Sequence, residues 1–197
     1  MSKAAVIFWS QTGNTEQMAT AIAEGVRAGG LECDLLNVAE ISAADAAKYD
    51  KLALGCPAMG AEVLEEAEFE PFFTELESKL GGRKVALFGS YGWGDGQWMR
   101  DWVERTDNAN ANIYTGEGLM AHETPDETML EQCRDFGRGF AAYYTRLYPA
   151  LRAAFCAKRH SIDFLQFFAE NHKKCVLCHT FYTSAEKSFA RRNFSKR

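Results

Sequence analysis

No stretch of this 197-residue chain holds the roughly 18 uninterrupted apolar residues of a membrane span. No leader of charged and then apolar residues stands before the first strand-like run, which starts at Ala4. That layout predicts a cytoplasmic protein whose six cysteines are thiols rather than disulfides. Internal repeats and low-complexity tracts are missing too. So is any Gly-Lys-Ser or Gly-Lys-Thr, which disfavours a nucleotide-hydrolysing phosphate loop. One further absence is local: Ser10-Gln11-Thr12-Gly13-Asn14-Thr15 contains no lysine and no arginine, although it occupies the place of an anion site.

That segment follows Ala4-Ala5-Val6-Ile7-Phe8-Trp9, an apolar run that reads as a buried strand. It precedes Glu16 to Ala28, where Met18, Ala19, Ile22, Ala23 and Val26 recur at helical spacing. A loop from strand to helix points backbone N–H groups and the positive end of the helix at an anion. Without a cation, the hydroxyls of Ser10, Thr12 and Thr15, the amides of Gln11 and Asn14, and the loop N–H groups must hold a phosphate by hydrogen bonds. Such a cradle suits a phosphate monoester that is stored rather than transferred.

The length and the 47% apolar content suit one compact domain, or one with an appendage. The net charge of −5 hides a split. Residues 1–147 carry 24 acidic and 12 basic residues, a net −12, while residues 148–197 carry 3 acidic and 10 basic, a net +7. An acidic body is unsuited to nucleic acid and suited to steering toward basic protein partners.

Further strands are read at Glu32 to Val38, Lys51 to Gly55 and Lys84 to Gly89, and an interrupted fifth at Ile113-Tyr114 and Leu119 to Ala121. Helices are read at Ile41 to Lys48 with Ser42 as cap, Glu70 to Leu80, and Gly96 to Arg105. A last one opens at Pro125-Asp126 behind Thr124 as cap and reaches about Leu147. Strands that are apolar on both faces and alternate with helices specify an α/β fold, a parallel sheet covered on both sides.

Two more loops leave strand ends: Gly55-Cys56-Pro57-Ala58-Met59-Gly60-Ala61-Glu62-Val63-Leu64 and Gly89-Ser90-Tyr91-Gly92-Trp93-Gly94-Asp95-Gly96. Trp93 and Met59 are bulky apolar residues in loops, and a Gly-Trp-Gly tripeptide has no local structure in which to bury its ring. Two apolar platforms beside a phosphate cradle fit a flat aromatic ring between them.

On these three loops, together with Trp98-Met99-Arg100-Asp101 and Pro125-Asp126-Glu127, the chain resembles the short-chain flavodoxins of clostridia and related anaerobes over about residues 3–147. The resemblance implies a flavodoxin-like three-layer sandwich with a five-stranded parallel sheet in the order 2-1-3-4-5, the order known for that fold, with FMN at its switch point. It implies FMN contacts from Ser10, Gln11, Thr12, Gly13, Asn14 and Thr15 at the phosphate. Pro57, Ala58, Met59, Gly60, Ala61 and Glu62, and Ser90, Tyr91, Gly92, Trp93, Gly94 and Asp95, would surround the ring. Trp93 would stack on one face with Met59 on the other, the Gly60–Ala61 carbonyl would turn toward N5 on reduction, and Glu62 would accept from N3. Ala61 and His122 depart from the family, which often has another residue type at the first and an amide at the second.

The implied function is a low-potential one-electron carrier that shuttles non-covalent FMN between semiquinone and hydroquinone. It would be a monomer serving basic redox protein partners, with no nucleic acid and no membrane. An acidic rim of Glu62, Glu65, Glu66, Glu68 and Asp95 would steer those partners. The alternative is an FMN-dependent quinone or nitro reductase on the same fold. A receiver domain of the same strand order would need an acceptor Asp where Gly55-Cys56 stands.

Residues 148–197 fall outside the resemblance and form a basic, Phe-rich extension without a core of its own. Cys175-Val176-Leu177-Cys178-His179 has the haem c attachment spacing, but that chemistry requires export. A metal site of Cys175 and Cys178 with His172 or His179 would be a minimal one. Folding back on the acidic body, docking a partner, and arising from a shifted or read-through frame all stay open for this segment.

Overall fold

The computed structural model describes residues 3–143. Every reading placed on residues 148–197, the Cys175/Cys178/His179 cluster included, lies outside the described residues. So does the stretch of the last helix expected beyond Tyr143. No helix among the described residues is long and apolar enough to cross a membrane.

The chain runs β1 (Lys3–Phe8), α1 (Asn14–Ala28), β2 (Glu32–Asn37), a 3-10 turn (Val38–Glu40), α2 (Ala43–Ala46) and β3 (Lys51–Gly55). It continues α3 (Phe69–Glu77), β4 (Lys84–Tyr91), α4 (Gln97–Asn108), β5 (Asn112–Ile113), β6 (Leu119–His122) and α5 (Glu127–Ala142). Every ladder is parallel, in the order β2-β1-β3-β4-β5, and β6 also pairs with β4. The expected strand order therefore holds. The interrupted fifth strand is two short ones, which pair with the two ends of the eight-residue β4.

Alternation along the strands divides the core in two. Ala5, Ile7, Leu52, Leu54, Val85 and Leu87 face one way, against Ala43 and Ala46 of α2, Phe69, Phe73 and Leu76 of α3, and Trp98 and Trp102 of α4. Ala4, Val6, Ala53, Ala86 and Phe88 face the other way, against Met18, Ile22 and Val26 of α1 and Cys133 and Phe140 of α5. That is the three-layer sandwich. Cys33, Cys56 and Cys133 are all buried, and burial raises their thiols, Cys33 to about 11, Cys133 to about 12 and Cys56 further still. They pack as small apolar residues and hold no thiolate at neutral pH.

The helix ends show where local reading works. Ser42 caps α2 as expected, accepting from Asp45 N–H at 3.1 Å. α5 is capped by Asp126, which accepts from Met129 N–H at 2.8 Å, rather than by Thr124. An aspartate next to the first turn adds its charge to the helix dipole, which a threonine cannot. At the far end of α5 the buried Lys51 donates Nζ–H to the carbonyls of Phe140, at 2.9 Å, and Ala141. Burial first, and then Lys84 in register beside it, lower the Lys51 pKa to about 8.

Candidate functional site

Three loops leave the carboxyl ends of β1, β3 and β4 on the same side of the sheet. Such loops line the ligand crevice in open α/β sheets.

In the first loop, Ser10 Oγ accepts the N–H of Gly13 at 3.1 Å. Gly13 takes a left-handed φ of 86° and starts α1 with no side-chain cap. The leading N–H groups of α1 thus meet no capping side chain, and loop 10–15 contains no acid of its own. Gln11 and Thr12 are exposed, while Thr15 is buried with its hydroxyl 3.0 Å from that of Ser90.

The second loop first prolongs the sheet. Cys56 N–H donates to Phe88 O at 3.1 Å and Ala58 N–H to Ser90 O at 2.9 Å. Met59 and Val63 then exchange two backbone bonds of 2.8 and 3.0 Å, closing a hairpin over Gly60, Ala61 and Glu62. Gly60 and Glu62 both sit at positive φ, 44° and 55°. For Gly60 that conformation is unstrained, and a methyl group built there would meet nothing within 4 Å. The hairpin leaves Met59 half-buried and Val63 exposed.

The third loop carries Trp93 between Gly92 and Gly94 with 60% of its surface exposed. Tyr91 anchors its base against Trp98 and His122, with ring centroids 5.6 and 5.1 Å apart. His122 is the last residue of β6. Gly96 starts α4, and its cap comes from the second loop: Glu62 Oε1 accepts from Gly96 N–H and Gln97 N–H, both at 3.0 Å. Gly94 makes room for this carboxyl, since a methyl group there would lie 2.4 Å from Glu62 Cδ.

The acidic rim read from the sequence needs correction at Glu65, which is buried and turned inward. Its carboxylate accepts from Ala67, Glu68 and Phe69 N–H at 2.8 to 2.9 Å and caps the start of α3. Glu68 accepts from Trp9 Nε1 at 2.9 Å and Asp95 pairs with Arg100 at 2.8 Å, and both stay exposed, as does Glu66. Burial pushes the Glu65 pKa up, but the donors of Phe69, Glu68 and Ala67 outweigh it and hold the carboxyl below its ordinary 4.5. Stability from this group is complete above the unfolded value and drains as pH falls through the lower folded one. Glu65→Gln, which turns an NH2 toward N–H donors, is expected to cost about 1.5 kcal/mol near pH 7. The cost should shrink in acid; urea unfolding at pH 7 and at pH 3 measures both, and an equal loss at the two would refute the assignment.

The structure thus brings the three loops named from the sequence to one end of the sheet, tied by Thr15 to Ser90 and by Glu62 to Gly96 and Gln97. What the sequence did not reveal is how they hold one another. Thr15 to Ser90 and Glu62 to Gly96 are contacts between distant segments, and no local pattern announces them.

The family model described as Flavodoxin matches residues 6–137. A flavodoxin of Clostridium beijerinckii is 47% identical over 136 residues, spanning 69% of this chain and 97% of its own length. One from Megasphaera elsdenii is 43% identical over 136 residues, with shares of 69% and 96%. Among solved structures, the two-electron reduced flavodoxin of Megasphaera elsdenii superposes with a TM-score of 0.65 at 41% identity, covering 71% of this chain and 99% of that one. Oxidised Flavodoxin 1 of Bacillus cereus gives 0.66 at 30% identity, covering 73% and 100%.

Proposed function

The chain belongs to the flavodoxin family, and on that premise we propose that it binds FMN non-covalently and carries one electron at a time, at low potential, between protein partners. FMN supplies a ring that takes up and releases electrons singly. The residues present fit it. α1 begins without a side-chain cap behind a loop of hydroxyls and amides that contains no acid, which suits a doubly charged phosphate. The observation that carries the reading is Trp93, 60% exposed on a glycine-flanked loop, where a flat ligand ring would cover it.

In this reading Ser10, Gln11, Thr12, Gly13, Asn14 and Thr15 hold the phosphate end, while Trp93 and Met59 cover the ring and keep water from it. Gly60, at φ 44° with open space around its α-carbon, lets the Gly60–Ala61 peptide turn its carbonyl and accept a hydrogen bond at the ring edge. Glu62 Oε1 is spent on Gly96 and Gln97, so its other oxygen is the one left for an N–H of the ring. Apolar cover and acidic surroundings disfavour added negative charge, which lowers the potential of the last electron. Residues 1–147 form the flavin-binding unit, which works as a cytoplasmic monomer and meets basic redox proteins through exposed acids such as Glu66. Pro57, Ala58, Ser90, Tyr91, Gly92, Gly94 and Asp95 shape the loops around the ring.

Anaerobic photoreduction of the FMN-loaded chain, followed by visible absorbance, tests this. A broad long-wavelength band should rise and then fall as reduction proceeds in two stages. A single bleaching step without that band would overturn the one-electron reading and favour a reductase.

A further inference from the structure

Trp93 stands in a stretch with little to hold it. β4 ends at Tyr91 and α4 begins at Gln97, and three of the five residues between them are glycines. Gly94 and Gly96 lie at φ 89° and 86°. Glycine leaves a chain its widest freedom, so a platform built on Gly-Trp-Gly has to be fixed from outside. Among the described residues, the hydrogen bonds that reach 92–95 both end on Asp95, and both come from Arg100 of α4.

Arg100 Nη1 donates to the Asp95 carbonyl and Nη2 to Asp95 Oδ1, both at 2.8 Å. Nε and Nη2 also donate to Gln97 Oε1, at 3.1 and 2.6 Å, which fastens the guanidinium to the first turn of its own helix. An exposed ion pair alone is worth little, and these two side chains are 49% and 77% exposed. What sets this pair apart is the planar fork, which grips the main chain and the side chain of one residue together. Gly96 follows and is buried, its N–H bound by Glu62 and its α-carbon covered by Met120, whose sulfur lies 2.8 Å from the place of a methyl group. The loop is therefore pinned at 95 and 96, just beyond the indole.

We propose that Arg100 is a positioning residue for the indole: its grip on Asp95 holds loop 92–95 in place, so that Trp93 meets a flavin ring without first having to be ordered. Arg100 acts through the loop and does not touch the ligand. This rests on the reading that a flavin ring covers Trp93. It adds that the strength of stacking is set partly from α4, one turn behind the loop that makes the contact.

Dissociation constants of FMN and of riboflavin, measured by fluorescence titration of the full chain, test the clamp. Arg100→Met should weaken both flavins alike, by about threefold to tenfold, because an unfixed loop must be ordered at the moment of binding. The bound flavin should also emit more light, since an indole that stacks less firmly quenches it less. The flavin-free chain should keep its urea midpoint, because the pair is exposed. In a Trp93→Ala background the same substitution should add almost nothing. Arg100→Lys, which keeps the charge without the fork, should behave like Arg100→Met. No loss, a loss confined to FMN, a lowered urea midpoint, full rescue by Arg100→Lys, or a loss that persists without the indole would each overturn the clamp and leave the FMN reading standing. A wild-type chain that binds neither flavin would sink that reading and the clamp with it.

Discussion

Gly137→Ala is expected to lower the stability of the flavin-free protein by about 3 kcal/mol, although alanine is the better helix former by about 1 kcal/mol. The reason lies in the crossing of α1 and α5. A methyl group at Gly137 would lie 2.2 Å from the carbonyl oxygen of Ile22, 2.9 Å from the Val26 nitrogen and 3.1 Å from the Gly25 α-carbon. All three are backbone atoms, so no rotamer change relieves the clash. From the other side, a methyl group at Gly25 would lie 2.1 Å from the carbonyl oxygen of Arg134. The two helices meet glycine to glycine, and a single carbon forces them apart along a face that buries Ile22, Val26, Cys133 and Phe140. Gly139→Ala is the matched control. Its methyl group would meet the Tyr114 hydroxyl at 2.0 Å, the far end of a side chain that can swing away, so the change should stay within about 1 kcal/mol. Urea unfolding of both variants separates the two cases. Equal stabilities would mean that α1 and α5 do not touch through their backbones.

Trp93→Ala should leave folding untouched and damage binding. With 60% of its surface already exposed, the side chain contributes little to the core, and its loss should shift unfolding by no more than about 0.5 kcal/mol. Stacking of an indole on a flat ring is worth about 1–3 kcal/mol, so flavin affinity should fall by about fivefold to 150-fold. The loss should be the same for FMN and riboflavin, since the indole meets the ring and not the phosphate. Isothermal titration with both flavins checks it, and an unchanged affinity would mean that Trp93 does not cover the ring.

Much of this was legible in the chain itself because it depends on neighbours in sequence. β3 is bounded at Lys51 and Gly55, the segment whose apolar residues mark a strand buried on both faces. Ser42 was legible as a cap because its partner, Asp45, is three residues away. Thr124 and Asp126 compete within one short segment, and the charge that decides between them is not a pattern of spacing. In sequence Glu65 looks like a rim acid, because a glutamate among Glu62, Glu66 and Glu68 has the pattern of a solvated face. Only the turn that folds α3 back over it makes it a buried cap. The candidate site divides the same way: its parts were visible as loops at strand ends, while the bonds between loops depend on a sheet that sets β4 beside β3 and β3 beside β1.

The bare start of α1 has a consequence for how long the protein lasts in a cell. Gly13 offers that helix no side-chain acceptor, so its first turn is completed by whatever anion settles there. The same helix forms one whole layer with α5. By mass action, flavin at a hundred times its dissociation constant adds about 2.7 kcal/mol to the folded state. When cofactor is scarce that increment disappears, α1 opens more often, and proteases gain access to the chain. The amount of carrier that survives then follows the supply of FMN.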